Sequence, residues 1–439
     1  MSVKPIVAIV GRPNVGKSTL FNRLIGERIA IVEDRPGVTR DRLYGDCEWN
    51  GREFIIIDTG GIEFNRSDSI LTQTANQAKV AMEEADVIIF VLNFQDGATS
   101  TDEEIAALLR KTNKPVLLAV NKGEGKYGDP LIYDFYSLGL GDPILISSIH
   151  GIGTGDLLQA VVDHFPDYIP ELYDDEAITV SLIGRPNVGK SSLVNALIGQ
   201  DRVIVSDIAG TTRDAIDTVF EWEDEKFVFI DTAGIRKKSK VDDSVEYYSL
   251  MRSLRAVERS KVTLIVIDAS AGVTEQDKRV AGYAHEKGNA LILVVNKWDL
   301  IEKETNTMKK MTKQIKEELL FMNYAPVIFL SALTKQRVHK LFKIIVDAAE
   351  QHSRRIKTSI LNEVIREATM MHAMPSDKGR RLKLYYATQI AVEPPTIALF
   401  VNDPELMHFS YMRYLENSLR EAFGFEGTPI NLTLRQKND

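Results

Sequence analysis

Cysteine is nearly absent. Cys47 is the one cysteine in 439 residues, so no disulfide can form within the chain. That excludes a fold stapled by bridges and favours a reducing compartment. A half-buried place in a strand suits Cys47 better than catalysis does. Long apolar runs are also missing, and none approaches the ~20 residues that a membrane-crossing helix needs. Nor is there an excess of positive charge. The net charge is −8, which excludes a general polycation and leaves any nucleic-acid contact to local basic patches. The charge is uneven: residues 350–439 hold 12 Lys+Arg against 11 Asp+Glu, a net of +1, leaving −9 for residues 1–349. The opening Met1-Ser2-Val3-Lys4-Pro5 leads straight into an apolar strand pattern and is expected not to be a signal peptide.

What is present is an eight-residue stretch that occurs twice. Gly11-Arg12-Pro13-Asn14-Val15-Gly16-Lys17-Ser18 returns as Gly184-Arg185-Pro186-Asn187-Val188-Gly189-Lys190-Ser191. The spacing is that of a phosphate-cradling loop. Glycine lets the backbone wrap an anion closely, the loop amides point inward, and the helix that follows adds its positive end. Lys17 and Lys190 are expected to reach the β- and γ-phosphates, and Ser18 and Ser191 to bind Mg²⁺. Each loop follows an apolar strand pattern (residues 6–10 and 178–183). Each precedes an amphipathic helix that stops at Gly26 or Gly199.

The first two thirds of the chain repeat one another. Residues 11–26 and 184–199 are identical at 13 of 16 positions, an offset of 173 that grows to 175 by Asn121-Lys122 against Asn296-Lys297. A period of that size means a duplicated domain. Short apolar runs such as 54–57, 87–92 and 116–120 read as parallel strands covered on both faces, with helical segments such as 102–110 between them. The expected fold is α/β, two tandem phosphate-loop domains with doubly wound sheets. The pattern then changes to α-β-β-α-β, from helical residues 360–372 through strands 381–390 and 396–402 and helix 409–423 to strand 429–435. That is a small α+β domain. The expected boundaries are 1–166, an acidic linker 167–177, 178–349 and 350–439.

Asp58 and Asp231 each end an apolar strand, in Asp58-Thr59-Gly60-Gly61 and Asp231-Thr232-Ala233-Gly234. A carboxylate there can hold Mg²⁺ through water, and the Gly61 and Gly234 amides can sense a γ-phosphate. Thr39 and Thr212, in loops ahead of Arg-Asp, could complete the Mg²⁺ shell; Thr211 is an alternative to Thr212. Base choice is expected from Asn296-Lys297-Trp298-Asp299. A carboxylate only accepts hydrogen bonds, and guanine offers it two adjacent N–H donors where adenine offers an acceptor. Asn296 would read the opposite edge, the Lys297 stem would cover the ring, and Ser331-Ala332 would close the pocket through a backbone amide. The first copy departs here, with Asn121-Lys122-Gly123-Glu124 and Ser147-Ser148. Glu124 is an acceptor one methylene longer, so this copy is expected to bind guanine nucleotide more weakly or less selectively.

The order of these motifs is that of translation-factor-class GTPases. Two copies with a small C-terminal α+β domain resemble the double-Era-like GTPases of bacteria, the Der or EngA family. The resemblance implies a cytoplasmic, GTP-hydrolysing enzyme that acts in maturation of the large (50S) ribosomal subunit, binds GTP, GDP and ribosomal RNA, and carries a K-homology-like C-terminal domain. A monomer is expected. Many signalling GTPases place a water-orienting glutamine where this chain has Ile62 and Ile235. Related GTPases with this hydrophobic replacement use a potassium ion held partly by a phosphate-loop asparagine, which Asn14 and Asn187 match. Lys17, Lys190, Asn14, Asn187, Thr39 and Thr212 are thus the candidate catalytic residues. The competing reading is that the two asparagines only brace their loops.

Signals for RNA contact are weaker. Lys378, Arg380, Arg381 and Lys383 cluster near Tyr385 and Tyr386, a combination that suits phosphates and stacking and equally a solvated strand end. Arg236, Lys237, Lys238 and Lys240 follow the second Asp-x-x-Gly turn and could couple it to RNA. Gly424-Phe425-Glu426-Gly427 reads as a turn rather than an RNA clamp, and Met370, Met371 and Met374 as core or interface filler. Beside the GTPase reading stands a binding module in which only the second copy hydrolyses and the first holds nucleotide structurally.

Overall fold

The computed structural model describes residues 4–26, 44–59, 74–75, 77–79, 81–82, 85–126, 128–166, 177–200, 203–205, 217–231, 254–377 and 380–437. They divide into two compact units. One carries the first sheet; the other carries the second sheet and the C-terminal sheet.

The first sheet has six strands: β1 (Ile6–Val10), β2 (Tyr44–Trp49), β3 (Arg52–Asp58), β4 (Val87–Asn93), β5 (Val116–Asn121) and β6 (Pro143–Ile146). They lie in the order β2-β3-β1-β4-β5-β6. All neighbours are parallel except the edge pair β2 and β3. β1 and β4 are buried at every residue, which is why they read as unbroken apolar runs rather than alternations. Cys47 sits in β2, 7% exposed.

The second sheet repeats the plan with β7 (Ile178–Ile183), β8 (Val203–Val205), β9 (Thr218–Trp222), β10 (Glu225–Phe229), β11 (Val262–Asp268), β12 (Ala290–Asn296) and β13 (Val327–Phe329). Its order is β13-β12-β11-β7-β10-β9-β8, with β8 and β9 antiparallel at the edge. In both sheets the strand before the phosphate loop is central. The change of direction there opens a crevice at the strand C-terminal ends.

The remaining strands are the short pair β14 (Ser376–Asp377) and β15 (Arg380–Arg381), then β16 (Leu384–Ala391), β17 (Thr396–Val401) and β18 (Asn431–Gln436). β16 runs antiparallel to β17, and β18 parallel to it. The helices Thr358–Met371 and Phe409–Phe423 contribute Leu361, Ile365, Leu415 and Leu419 to the core over this sheet. Within the second unit the Gly424–Gly427 turn is a fastener. Phe425 is fully buried, Gly427 N donates to Tyr324 O at 3.0 Å, and Leu291 N donates to Gly427 O at 2.6 Å.

The helix Lys340–Ser353 runs through residue 349, so chain direction does not change at that point. The methionines depart from expectation. Met374 packs on the C-terminal core, but Met370 and Met371, at the end of their helix, are 76% and 81% exposed. The inward face there belongs to Leu361, Ile365 and Ala368. Apart from Ala177, the linker 167–177 lies outside the described residues.

Candidate functional site

Each phosphate loop joins a central strand to a helix, and its shape needs its glycines. A Cβ on Gly16 (φ 101°) would lie 2.2 Å from Asn121 Nδ2, and one on Gly189 (φ 98°) 2.3 Å from Asn296 Nδ2. The loop therefore lies against the asparagine of the base motif with no room for a side chain. Asn121 Nδ2 donates to Val15 O at 2.8 Å, and its Oδ1 accepts from Ser148 N at 2.9 Å. Asn296 repeats both bonds, to Val188 O at 2.8 Å and from Ala332 N at 2.9 Å. Each asparagine ties the phosphate loop to the base-closing loop. One N–H and one lone pair remain on each amide for a ligand.

The lysines turn back over their own loops. Lys17 Nζ donates to Gly11 O at 2.8 Å and Arg12 O at 2.7 Å; Lys190 Nζ bonds Gly184 O and Arg185 O, the latter at 2.8 Å. Burial pulls the pKa of Lys17 down to about 8, against the opposing attraction of Asp58 and with help from Arg12. An ammonium held by two neutral carbonyls in a partly desolvated cup is poised for an anion, since charge-assisted bonds are roughly twice as strong as neutral ones. Ser18 Oγ donates to Asp58 Oδ2 at 2.6 Å. A hydroxyl and a carboxylate thus converge at the mouth of the first loop, a hard oxygen donor set that fits Mg²⁺. Thr59 is fully buried and donates to Ile9 O at 2.5 Å, which makes it a bolt for the strand end.

The side chains of Arg12 and Arg185 turn to carboxylates. Arg12 Nε donates to both oxygens of Asp102, at 2.9 and 3.0 Å, and Nη2 reaches Asp96 at 3.2 Å. Asp102 is fully buried and also closes a capping box with Thr99 on the helix Ser100–Leu109. In the second domain Arg185 Nε lies 3.2 Å from Asp277 Oδ2, where Thr274 and Asp277 form the same box. The fit is looser, because Arg185 Nε and Asp277 Oδ1 are buried without a hydrogen bond among the described residues. This clamp escaped the sequence reading, although a Thr-x-x-Asp helix start at 99–102 and 274–277 was its signal. Asn14 and Asn187 are exposed, in left-handed backbone at φ 66° and 64°. Neither side chain makes a hydrogen bond among the described residues. Arg12 and Asn121, not Asn14, brace the first loop.

The base ends differ. Lys122 and Lys297 share left-handed backbone at φ 62° and 61°, a strain of about 1–2 kcal/mol for an L residue that persists where surroundings impose it. In the second domain Trp298 is 2% exposed and packs on Phe329 at 4.6 Å between ring centroids. In the first, Gly123 takes that place, and a Cβ there would crowd Leu145 and Phe94 at 3.1 and 3.2 Å. Glu124 Oε2 and Asp299 Oδ1 are both buried acceptors with no partner among the described residues. A buried acceptor left unbonded costs about 1–3 kcal/mol, so both carboxylates suit a ligand with N–H donors. Ser147 Oγ accepts from His150 N at 3.3 Å and Ser331 Oγ from Thr334 N at 3.1 Å, which sets the same tight turn twice. Ser148 adds a buried hydroxyl without a partner where the second domain has Ala332.

Thr39, Gly60, Gly61 and Ile62 lie outside the described residues, as do Thr212, Thr232, Ala233, Gly234 and Ile235, the basic run 236–240 and Lys378. Asp231 is described at φ 56°, and its N donates to Asp217 Oδ1 at 2.7 Å. Arg380 pairs with Asp403 at 3.0 Å, Tyr386 stacks on Phe400 at 4.2 Å, and Lys437 lies over the Tyr385 ring at 4.8 Å. No helix among the described residues is long and apolar enough to cross a membrane.

Two family models match the chain. Residues 6–122 and 179–297 each match the model described as "50S ribosome-binding GTPase", and residues 355–435 match "KH-domain-like of EngA bacterial GTPase enzymes, C-terminal". The GTPase Der of Staphylococcus saprophyticus is 60% identical over 435 residues, covering 99% of this chain and 100% of that protein. Those of Geobacillus thermodenitrificans and Listeria monocytogenes are 58% and 57% identical, each covering 99% of both chains.

Proposed function

The chain belongs to the GTPase Der (EngA) family and hydrolyses GTP to GDP and phosphate, and from that premise we propose that it uses the cycle as an assembly switch on the large ribosomal subunit, binding ribosomal RNA according to nucleotide state. The duplicated cup supports this reading above all. In both domains the loop lysine is held by two carbonyls and the base-motif asparagine ties phosphate end to base end, so what happens at the phosphates is felt at the base loop.

In this reading Ser18 and Asp58 hold Mg²⁺ in the first domain, and Ser191 and Asp231 in the second, with Thr39 and Thr212 adding a hydroxyl. Bound there, Mg²⁺ neutralises charge on the β- and γ-phosphates. Lys17 and Lys190 leave their carbonyls for phosphate oxygens. Glu124 and Asp299 accept the two guanine N–H donors. The Gly61 and Gly234 amides sense the γ-phosphate, and its departure releases the loops that carry them.

Ile62 and Ile235 cannot orient water. Potassium at Asn14 and Asn187 would supply the charge that an arginine finger supplies elsewhere; the exposure of both side chains, and the lack of any hydrogen bond from either among the described residues, support it. Exchanging K⁺ for Na⁺ should suppress turnover, and unchanged turnover would remove the ion from the mechanism. The switch itself is tested by sedimentation with ribosomal subunits in GTP, GDP and no nucleotide. Co-sedimentation with 50S particles should depend on nucleotide, and equal binding in all three conditions would sink it. A second reading, in which only the second domain hydrolyses, is favoured by the Gly123-Glu124 departure and separates from the first by turnover of Lys17→Ala and Lys190→Ala.

A further inference from the structure

Behind the second domain's base loop stands a side chain that the first domain lacks. The strands are in the same register, Asn93 beside Asn121 and Asp268 beside Asn296. The lysines that follow share a left-handed φ, 62° at Lys122 and 61° at Lys297. Residue 93 stands to Lys122 in the register as residue 268 stands to Lys297, and only the second is a carboxylate. Lys297 Nζ lies 2.6 Å from Asp268 Oδ2, with the two side chains 33% and 13% exposed. Asp268 Oδ1 accepts from Ser270 N at 2.9 Å and Ser270 Oγ at 2.6 Å, which fixes its orientation. Burial alone would raise the pKa of Asp268, but the bonds from Lys297 and Ser270 hold it below the ordinary carboxylate value. In the first domain Asn93 is neutral, and its Oδ1 accepts from Gln95 N at 3.1 Å. Lys122 is exposed and makes no ion pair among the described residues.

We propose that Asp268 is a positioning residue of the second nucleotide site, holding the Lys297 stem where it covers the base, and that Asn93 leaves the first site without this hold. The inference rests on the reading that each lysine flanks a guanine ring. A lysine stem carries large rotamer freedom. A stem already fixed loses little on binding, whereas a free one must be ordered by the ligand. The first domain therefore releases GDP faster than the second.

The test uses the full chain with one site silenced, by Lys17→Ala or Lys190→Ala, and follows release of a ribose-labelled fluorescent GDP. With the first site silenced, Asp268→Asn should speed release about fivefold, a charged hydrogen bond discounted for partial exposure. The matching inosine nucleotide should be released faster by the same factor, because the stem covers the ring and does not read the 2-amino group. With the second site silenced, Asn93→Asp should slow release by a similar factor, a gain that loss of folding cannot imitate. Unchanged release in Asn93→Asp, or an Asp268→Asn chain that unfolds more easily yet releases GDP at the original rate, would overturn the proposal. If a silenced chain with no further change binds no GDP, the guanine reading of the remaining, intact site fails, and the positioning role with it.

Discussion

In both GTPase domains the loop lysine reaches back to the first two carbonyls of its own loop, and an arginine lies across to a helix-capping aspartate. At the base end the domains part. The second has Trp298 packed beneath the loop, Asp299 as acceptor and Asp268 behind Lys297. The first has Gly123, the longer Glu124 and the neutral Asn93 at those places. At the phosphate clamp the order reverses, for Arg12 grips Asp102 with two bonds and adds Asp96, while Arg185 lies 3.2 Å from its partner. The two domains thus share the loop lysine and its two carbonyl contacts. The surrounding supports differ, the first domain firmer at the loop and the second at the base.

The comparison can be broken most directly at the lysines. Lys17→Ala and Lys190→Ala should each lower turnover of their own domain by about 10²–10³. Single-turnover phosphate release from each variant then gives the share of the other domain, and near-total loss with Lys190→Ala alone would favour hydrolysis by the second domain only. The clamps come next. Arg12→Leu leaves a fully buried Asp102 without its cation and should destabilise the first domain by about 2–3 kcal/mol in urea unfolding. Arg185→Leu should cost the second about 1 kcal/mol, since that pair is already loose. Equal losses would erase the contrast.

pH sharpens it further. Lys17 titrates at about 8 in the free loop, and a phosphate beside it would raise that value. The complex then holds one more proton than the free domain above pH 8, so affinity falls with rising pH, by about tenfold per unit. Nucleotide titration from pH 7 to 10 should show a flat region and then this decline; a flat profile throughout would mean that Lys17 does not meet the phosphates. The smallest effect concerns base choice. Glu124→Asp should raise the first domain's preference for GTP over ITP by roughly fivefold, measured by competition. Equal affinity of the unaltered first domain for GTP and ATP would refute guanine reading there altogether.

Much of this was legible in the chain because the deciding patterns are local. A central parallel strand is apolar throughout, a phosphate loop is a short backbone shape that needs glycine at set points, and a repeat shows as an offset. The C-terminal α-β-β-α-β order was legible for the same reason. The exposed Met370 and Met371 were not, since which side of a helix faces inward depends on what packs against it. The Arg12–Asp102 contact, between residues 90 apart, and the Lys297–Asp268 pair were beyond reach as well, although each partner stood in plain view.

The sequence alone determined that there are two anion cups, each on its own doubly wound sheet, and a smaller domain after them. Those facts follow from residue type and spacing over a few turns of chain. Only the tertiary structure decided that the loop arginines face carboxylates, that the asparagines bridge the two ends of each site, and that one base loop has a carboxylate behind it and the other does not. Such pairings join residues far apart in the chain, and their strength depends on burial and direction, which exist only once the sheets have formed.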